Sequence, residues 1–320
     1  MEFLHSILRQ NVTESDGLMT VDLPVNPLSH IILTTQVLNL TANTKATLAQ
    51  ILSAIEKVEV LFEGSAIMSM DGEDLFALNC VLLGKEPWQQ NVINTENATR
   101  SISLMIPFGR TLYDPNECLF ATSKGELQLQ ITYDIADTGY DGLVSQIETV
   151  ELPEATPSRH IKVTKLTKTL TSGADNDIDL PIGLPYAGIL LRSATVPTGT
   201  ADTTTIDKVK LLANNVQKMY AETNWESLHG MLMNRLSPAG AWGEKLHLEN
   251  TATGYTANAD TDAEEQDDTD ISNYSFMDFT PNGKDDFIFP SAGLSRFHLR
   301  INAGDGGIAD ILPVQLAPSQ

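Results

Sequence analysis

The densest run of side chains able to do chemistry is Asp260-Thr261-Asp262-Ala263-Glu264-Glu265-Gln266-Asp267-Asp268-Thr269-Asp270, with seven carboxylates and no Lys or Arg between Lys245 and Lys284. Clustered carboxylate oxygens suit a hard cation such as calcium, so Asp260, Asp262, Glu264, Asp267 and Asp268 are the candidate ligands of a loosely held structural calcium. An EF-hand loop needs Gly at its sixth position and Glu at its twelfth, where Glu265 and Ile271 stand. The run therefore reads first as a solvated acidic loop, and no resident cofactor is expected.

The six histidines, His5, His30, His160, His229, His247 and His298, show neither an HxH nor an HExxH spacing, so no zinc or iron site is legible. His247-Leu248-Glu249 comes faintly near a strand-borne metal pair. His298 alternates with Phe297 and Leu299 and is expected to face solvent or a subunit contact. GxSxG elbows, P-loops and GxGxxG turns are absent, and Asp305-Gly306-Gly307 reads as a turn. No catalytic residue can be nominated, and an enzyme is not expected. Trp88, Trp225 and Trp242 could stack on sugars, but Trp225 has helical core spacing with Leu228 and Leu232. Cys80 and Cys118 are too few for a disulfide framework and read as reduced, buried small side chains.

The balance of 20 Lys and Arg against 42 Asp and Glu gives a net charge of −22, which repels phosphate backbones and anionic lipid headgroups. Direct nucleic-acid binding is not expected. No apolar run reaches the roughly 18 residues of a bilayer span, and the first ten residues carry Glu2 without a basic n-region. Phe3, Leu4, Ile7 and Leu8 share one helical face. An arm over residues 1–20 follows, docking on a neighbour, grazing a membrane or packing on its own first domain.

The elements behind these residues are written twice. Val21-Asp22-Leu23-Pro24-Val25 returns as Ile178-Asp179-Leu180-Pro181-Ile182, and Ile31-Ile32-Leu33 as Ile189-Leu190-Leu191. Ile55 to Leu61 aligns without a gap on Ile206 to Leu212. Glu73-Asp74-Leu75, behind Asp71, matches Glu226-Ser227-Leu228, behind Asn224, so each copy carries one short helix with a capping residue. Leu127-Gln128-Leu129-Gln130-Ile131 matches Phe297-His298-Leu299-Arg300-Ile301, both alternating as half-buried strands do. Four blocks in one order, offset by 151 to 170 residues, mark a duplication. The first copy has a longer connection at residues 40–54, and the second an insertion between its helix and its last strands.

The prolines of Glu151-Leu152-Pro153-Glu154-Ala155-Thr156-Pro157-Ser158 mark a stiff linker over residues 151–158. The copies then occupy residues 21–150 and 159–320, the second with an extended loop at 237–272. Short alternating runs separated by Gly, Pro, Asn and Asp indicate antiparallel sheets. The expected fold is all-β, two tandem eight-stranded antiparallel jelly rolls with one short inserted helix each.

Two such units, through the Asp-Leu-Pro turn into an apolar strand at residues 178–191, the strand at 208–213 with its helix at 225–236, and the closing strand at 293–302, resemble the double jelly-roll major capsid proteins of tailless icosahedral viruses. Bacteriophages with an internal membrane are the nearest branch. The resemblance implies a homotrimer whose six jelly rolls form a pseudo-hexameric capsomer tiling an icosahedral shell. Neighbouring capsomers, minor capsid or vertex proteins and an inner viral membrane are its implied partners. It also implies a virion location after synthesis in the host cytoplasm. The alternatives are a monomeric pair of β-sandwich modules binding glycan or protein, and a metal-dependent bicupin enzyme.

Overall fold

The computed structural model describes residues 2–40, 46–90, 96–135, 140–197, 203–236, 247–251, 254–258 and 271–319. The chain divides into two compact units, Met1–Ser158 with Arg235–Ile271, and Arg159–Asn234 with Ser272–Gln320.

The first unit runs β1 (Leu4–Thr13), β2 (Gly17–Asp22), β3 (Leu28–Asn39), α1 (Leu48–Ser53), β4 (Ile55–Phe62), β5 (Ser65–Met70), α2 (Gly72–Leu83), β6 (Thr99–Pro107), β7 (Leu127–Tyr133) and β8 (Tyr140–Glu151). Its strands form two antiparallel sheets, β1-β8-β3-β6 and β2-β7-β4-β5. That order, each sheet drawing strands from both halves of the unit, is the jelly roll. Alternation decides the core: Ile31, Leu33 and Val37 on β3, Leu104 on β6, Ile147 on β8, Val60 on β4 and Leu129 on β7 are fully buried.

Helix α2 starts where Asp71 accepts a hydrogen bond from the Asp74 amide at 2.8 Å, with Glu73 and Asp74 in the first turn and left-handed Gly84 at its end. The Asn79 side chain of α2 accepts from the Met105 amide and donates to the Met105 carbonyl, both at 2.7 Å. It thereby satisfies one rung of edge strand β6, which would otherwise offer open backbone groups.

The second unit runs β9 (Arg159–Thr164), β10 (Leu166–Leu170), β11 (Asp175–Asp179), β12 (Tyr186–Ser193), β13 (Lys208–Ala213), β14 (Val216–Gln217), β15 (Thr223–Asn224) and α3 (Trp225–Arg235). A hairpin, β16 (His247–Thr251) and β17 (Gly254–Asn258), falls within the segment grouped with the first unit. The second unit then closes with β18 (Tyr274–Asp278), β19 (Phe297–Asn302) and β20 (Gly307–Pro318). Its sheets repeat the first pattern: β20 pairs with β12, which pairs with β18, and β11-β19-β13-β14 forms the other sheet, with β15 also on β13. β9 and β10 lie in sequence along β20 as one broken strand. Gly188 on β12 makes room for a ring, since a Cβ there would sit 2.1 Å from Phe276 Cζ.

All four duplicated blocks fall on equivalent elements. Two expectations are corrected. Residues 3–8 form no helix: β1 pairs with β8 from Leu4 opposite Glu151 to Thr13 opposite Val144. The run is too short to hold a helix alone, whereas pairing satisfies its backbone along one side. The first unit also has a second helix, α1, inside the connection at residues 40–54. Its capping box has the Thr47 hydroxyl accepting from the Gln50 amide at 3.2 Å and the Gln50 side chain accepting from the Thr47 amide at 2.9 Å. The Thr-x-x-Gln spacing at Thr47 is the sequence signal for it.

Candidate assembly surface

The most highly charged sheet face described belongs to β11, β19 and β13. Outward residues form three rungs across these strands: Asp175, Asn302 and Lys208; Asp177, Arg300 and Lys210; Asp179, His298 and Leu212. Arg300 donates to both Asp177 carboxylate oxygens, at 2.6 and 3.0 Å, and Arg296 reaches Asp177 at 3.4 Å and Asp179 at 3.5 Å. Lys210 pairs with Glu222 at 3.0 Å, and Asn302 donates to Asp175 at 2.9 Å. The hydrogen bond from Arg300 holds the Asp177 carboxyl below its usual range. Asp175, Lys208, Lys210, Glu222, Arg300 and Asn302 line a shallow recess. These groups are cross-paired charges, with no nucleophile and base set against one another; the chemistry they offer is recognition.

The first unit carries Thr20, Gln130, Glu59 and Ser69 along the rung equivalent to Asp177, Arg300 and Lys210. The gap-free alignment sets Glu59 against Lys210, so this position reverses its charge between copies.

The repeated Asp-Leu-Pro turn is the same object twice. Leu23 N–H donates to the Leu127 carbonyl at 3.0 Å and Leu180 N–H to the Phe297 carbonyl at 2.8 Å. Both leucines are buried, and the residues after the prolines, Val25 and Ile182, are each 43% exposed. The turn hides its leucine and offers a branched apolar side chain at equivalent places in both units.

Two further segments that carry exposed apolar side chains are open. Residues 2–7 are exposed throughout, among them Phe3, Leu4 and Ile7, with Phe3 set edge-on against Tyr113 at 5.4 Å between centroids. Residues 214–219 are likewise exposed, around Val216 and Met219.

The calcium candidates Asp260, Asp262, Glu264, Asp267 and Asp268 lie outside the described residues, as does Trp242. Among the described residues no group of three His, Cys, Asp or Glu could hold a metal ion. His247 and Glu249 fall on β16. His298 corrects its expectation: it sits on the outward side of β19, yet its side chain is buried, 3.7 Å from Asp177 and between Asp179 and Leu212 in register. Neighbours on adjacent strands cover it, which a period-2 pattern along one strand cannot report. Trp225 is in the core and Trp88 is exposed. Cys80 and Cys118 are free and buried, and burial with the Asp114 charge nearby pushes the Cys118 thiol up to about 11. No helix among the described residues is long and apolar enough to cross a membrane.

Each unit also holds a buried histidine held well below the usual imidazole range, His30 in the first and His160 in the second. Burial, reinforced by His5, lowers His30 to about 4, and burial, reinforced by Lys162, lowers His160 to about 4. Both are neutral when folded and take up a proton when unfolded below about pH 6.5, so their contribution is whole above that pH and is lost as pH falls toward 4. A drop of about 3 kcal/mol per histidine is expected at the acid end. Denaturant midpoints measured at pH 7 and pH 4.5 check it, and a midpoint unchanged on acidification would contradict it.

No protein-family model matches the chain, and no curated protein matches it in sequence. Solved structures do match along almost its whole length. The major capsid protein P2 of bacteriophage PM2 superposes with a TM-score of 0.61 at 15% identity, covering 99% of this chain and 98% of that one. The major capsid protein of Sulfolobus turreted icosahedral virus gives 0.68 at 13% identity, covering 99% and 97%. The capsid of the virus PBCV-1 gives 0.58 at 10%, covering 98% and 94%. With the strand orders above, these likenesses show the fold to be a double jelly roll.

Proposed function

We propose that the chain is the major capsid subunit of an icosahedral virus, assembling as a homotrimer whose six jelly rolls imitate a hexamer. One observation carries this reading: two complete jelly rolls in tandem, superposable end to end on major capsid proteins with 97–98% of those chains covered in two cases. Its mechanism is geometric. Two similar units per chain let three chains surround an axis with six similar walls, a closed arrangement built from one repeated heterologous contact. The exposed apolar positions repeated at Val25 and Ile182 and the open strips at residues 2–7 and 214–219 support it, because a lone chain gains nothing from exposing them. Neighbouring capsomers, minor or vertex proteins and an inner viral membrane are the further partners of this reading, and the virion is its location. In this reading the carboxylates of the acidic run at 260–270 have weak calcium binding as their candidate use.

Light scattering on the purified protein, with negative-stain imaging of the same fraction, tests it. A species of about three times the 34.9 kDa chain, hexagonal in outline, is expected. A monomer at high concentration overturns it in favour of a glycan- or protein-binding pair of modules.

A further inference from the structure

Duplication gives each strand of one unit a counterpart in the other, so a difference in exposure between counterparts reports different surroundings on the same fold. Two pairs differ. β9 takes on β20 the place that the start of β1 takes on β8; His160, Ile161 and Val163 of β9 are buried, while residues 2–7 are all exposed. β14 takes on β13 the place of β5 on β4, which sets Gln217, Lys218 and Met219 against Ala66, Ile67 and Met68; Ile67 and Met68 are buried, while residues 217–219 are all exposed. Each unit therefore has one edge of this kind covered and one open, and the two open edges are of opposite kinds.

Charge says which open edges can meet. Residues 159–234 and 272–320 carry 11 Lys and Arg against 12 Asp and Glu, a net −1, whereas the rest of the chain carries 9 against 30, a net −21. The open edge of β1 belongs to the acidic unit, with Glu2 exposed at its tip. The open edge at β14 belongs to the near-neutral unit, with Lys218 exposed at its end and Lys208 and Lys210 on the adjoining strand. Two β1 edges meeting would oppose strongly acidic units; β1 against β14 sets an acidic unit against a near-neutral one and brings together the exposed apolar side chains of both edges.

We infer that the occupant of each open edge is a second copy of this chain: residues 2–7 of one copy lie against residues 214–219 of the next, head to tail. The inference rests on the capsomer reading and specifies its contact. Ile7 and Val216, exposed by 55% and 56%, are the central apolar side chains of the two strips.

Ile7→Asp and Val216→Asp put a carboxylate on side chains that the single chain leaves in solvent, so the thermal midpoint is expected to stay unchanged for Val216→Asp and to fall by only a few degrees for Ile7→Asp, whose new carboxylate stands opposite Glu148 in register. Each variant alone is expected to fall from three chains to one in light scattering. Mixed one to one, they retain one intact pair of edges and are expected to give a species of two chains that grows no further. Either variant still forming the three-chain species overturns the inference. So does a block by Ile7→Asp with none by Val216→Asp, the signature of β1 meeting β1. A wild-type chain that stays monomeric instead removes the capsomer reading, so the two failures are distinguishable.

Discussion

Replacing Trp225 by Ala is expected to destabilise the second jelly roll by about 3–5 kcal/mol, the range for emptying a large aromatic site in a packed core. Trp225 opens α3, is 2% exposed and belongs to a cluster with Ile206, Val209, Leu211, Leu228, Phe279 and Leu299. Its amide donates to the Asp207 carbonyl at 2.9 Å, and its ring lies 6.3 Å from the His229 ring, nearly parallel. His229 in turn hydrogen-bonds the Tyr274 carbonyl at 2.7 Å through Nδ1, so the tryptophan also fixes the tie between α3 and β18. A loss of that size is a large part of the roughly 5–15 kcal/mol that holds a typical domain. The fraction of chains competent to assemble should fall with it. Denaturant unfolding followed by near-ultraviolet circular dichroism measures the change, and Trp225→Phe should retain part of the stability. A cost below about 1 kcal/mol would show that α3 rests on the sheet without being part of the core.

Replacing Arg110 by Met is expected to cost about 3–5 kcal/mol in the first unit by leaving a buried carboxylate without its countercharge. The Glu117 side chain is 4% exposed and accepts from Arg110 three times: backbone N–H and Nε on Oε1, both at 2.8 Å, and Nη2 on Oε2 at 2.7 Å. The loop between them has no slack, because a Cβ on Gly109 would sit 2.0 Å from the Glu117 carbonyl oxygen. Removing both charges, as Arg110→Met with Glu117→Leu, should recover part of the loss, since no isolated charge then remains buried. A double-mutant cycle by denaturant unfolding reads the coupling, and additive single effects would contradict the account. The loop also carries Tyr113, whose ring meets Phe3 and His30, so loosening it disturbs the open edge of β1. Partial loss of the three-chain species should accompany the loss of stability.

The duplication is legible in the amino-acid sequence because both copies retain the same local devices. Leu127 to Ile131 and Phe297 to Ile301 alternate because one sheet face is buried in each. Asp71 starts α2 because its carboxylate caps a free amide. The Asp-Leu-Pro turns return because the same backbone bond closes both. Each signal is complete within a few residues. The capping box at Thr47 is equally local, but it has no counterpart helix in the second copy, so the repeat does not point to it.

Sequence alone determined that this chain is two antiparallel β units in tandem, because period, caps and turns are short-range properties and are written twice. Tertiary structure alone decided the rest. Residues 4–8 are strand because β8, over a hundred residues away, supplies the partner that outweighs a marginal helical pattern. His298 is buried because β11 and β13 flank it. Which edges stay open, and so where another copy can bind, follows from burial at counterpart strands, which depends on what surrounds a strand and not on what it is made of.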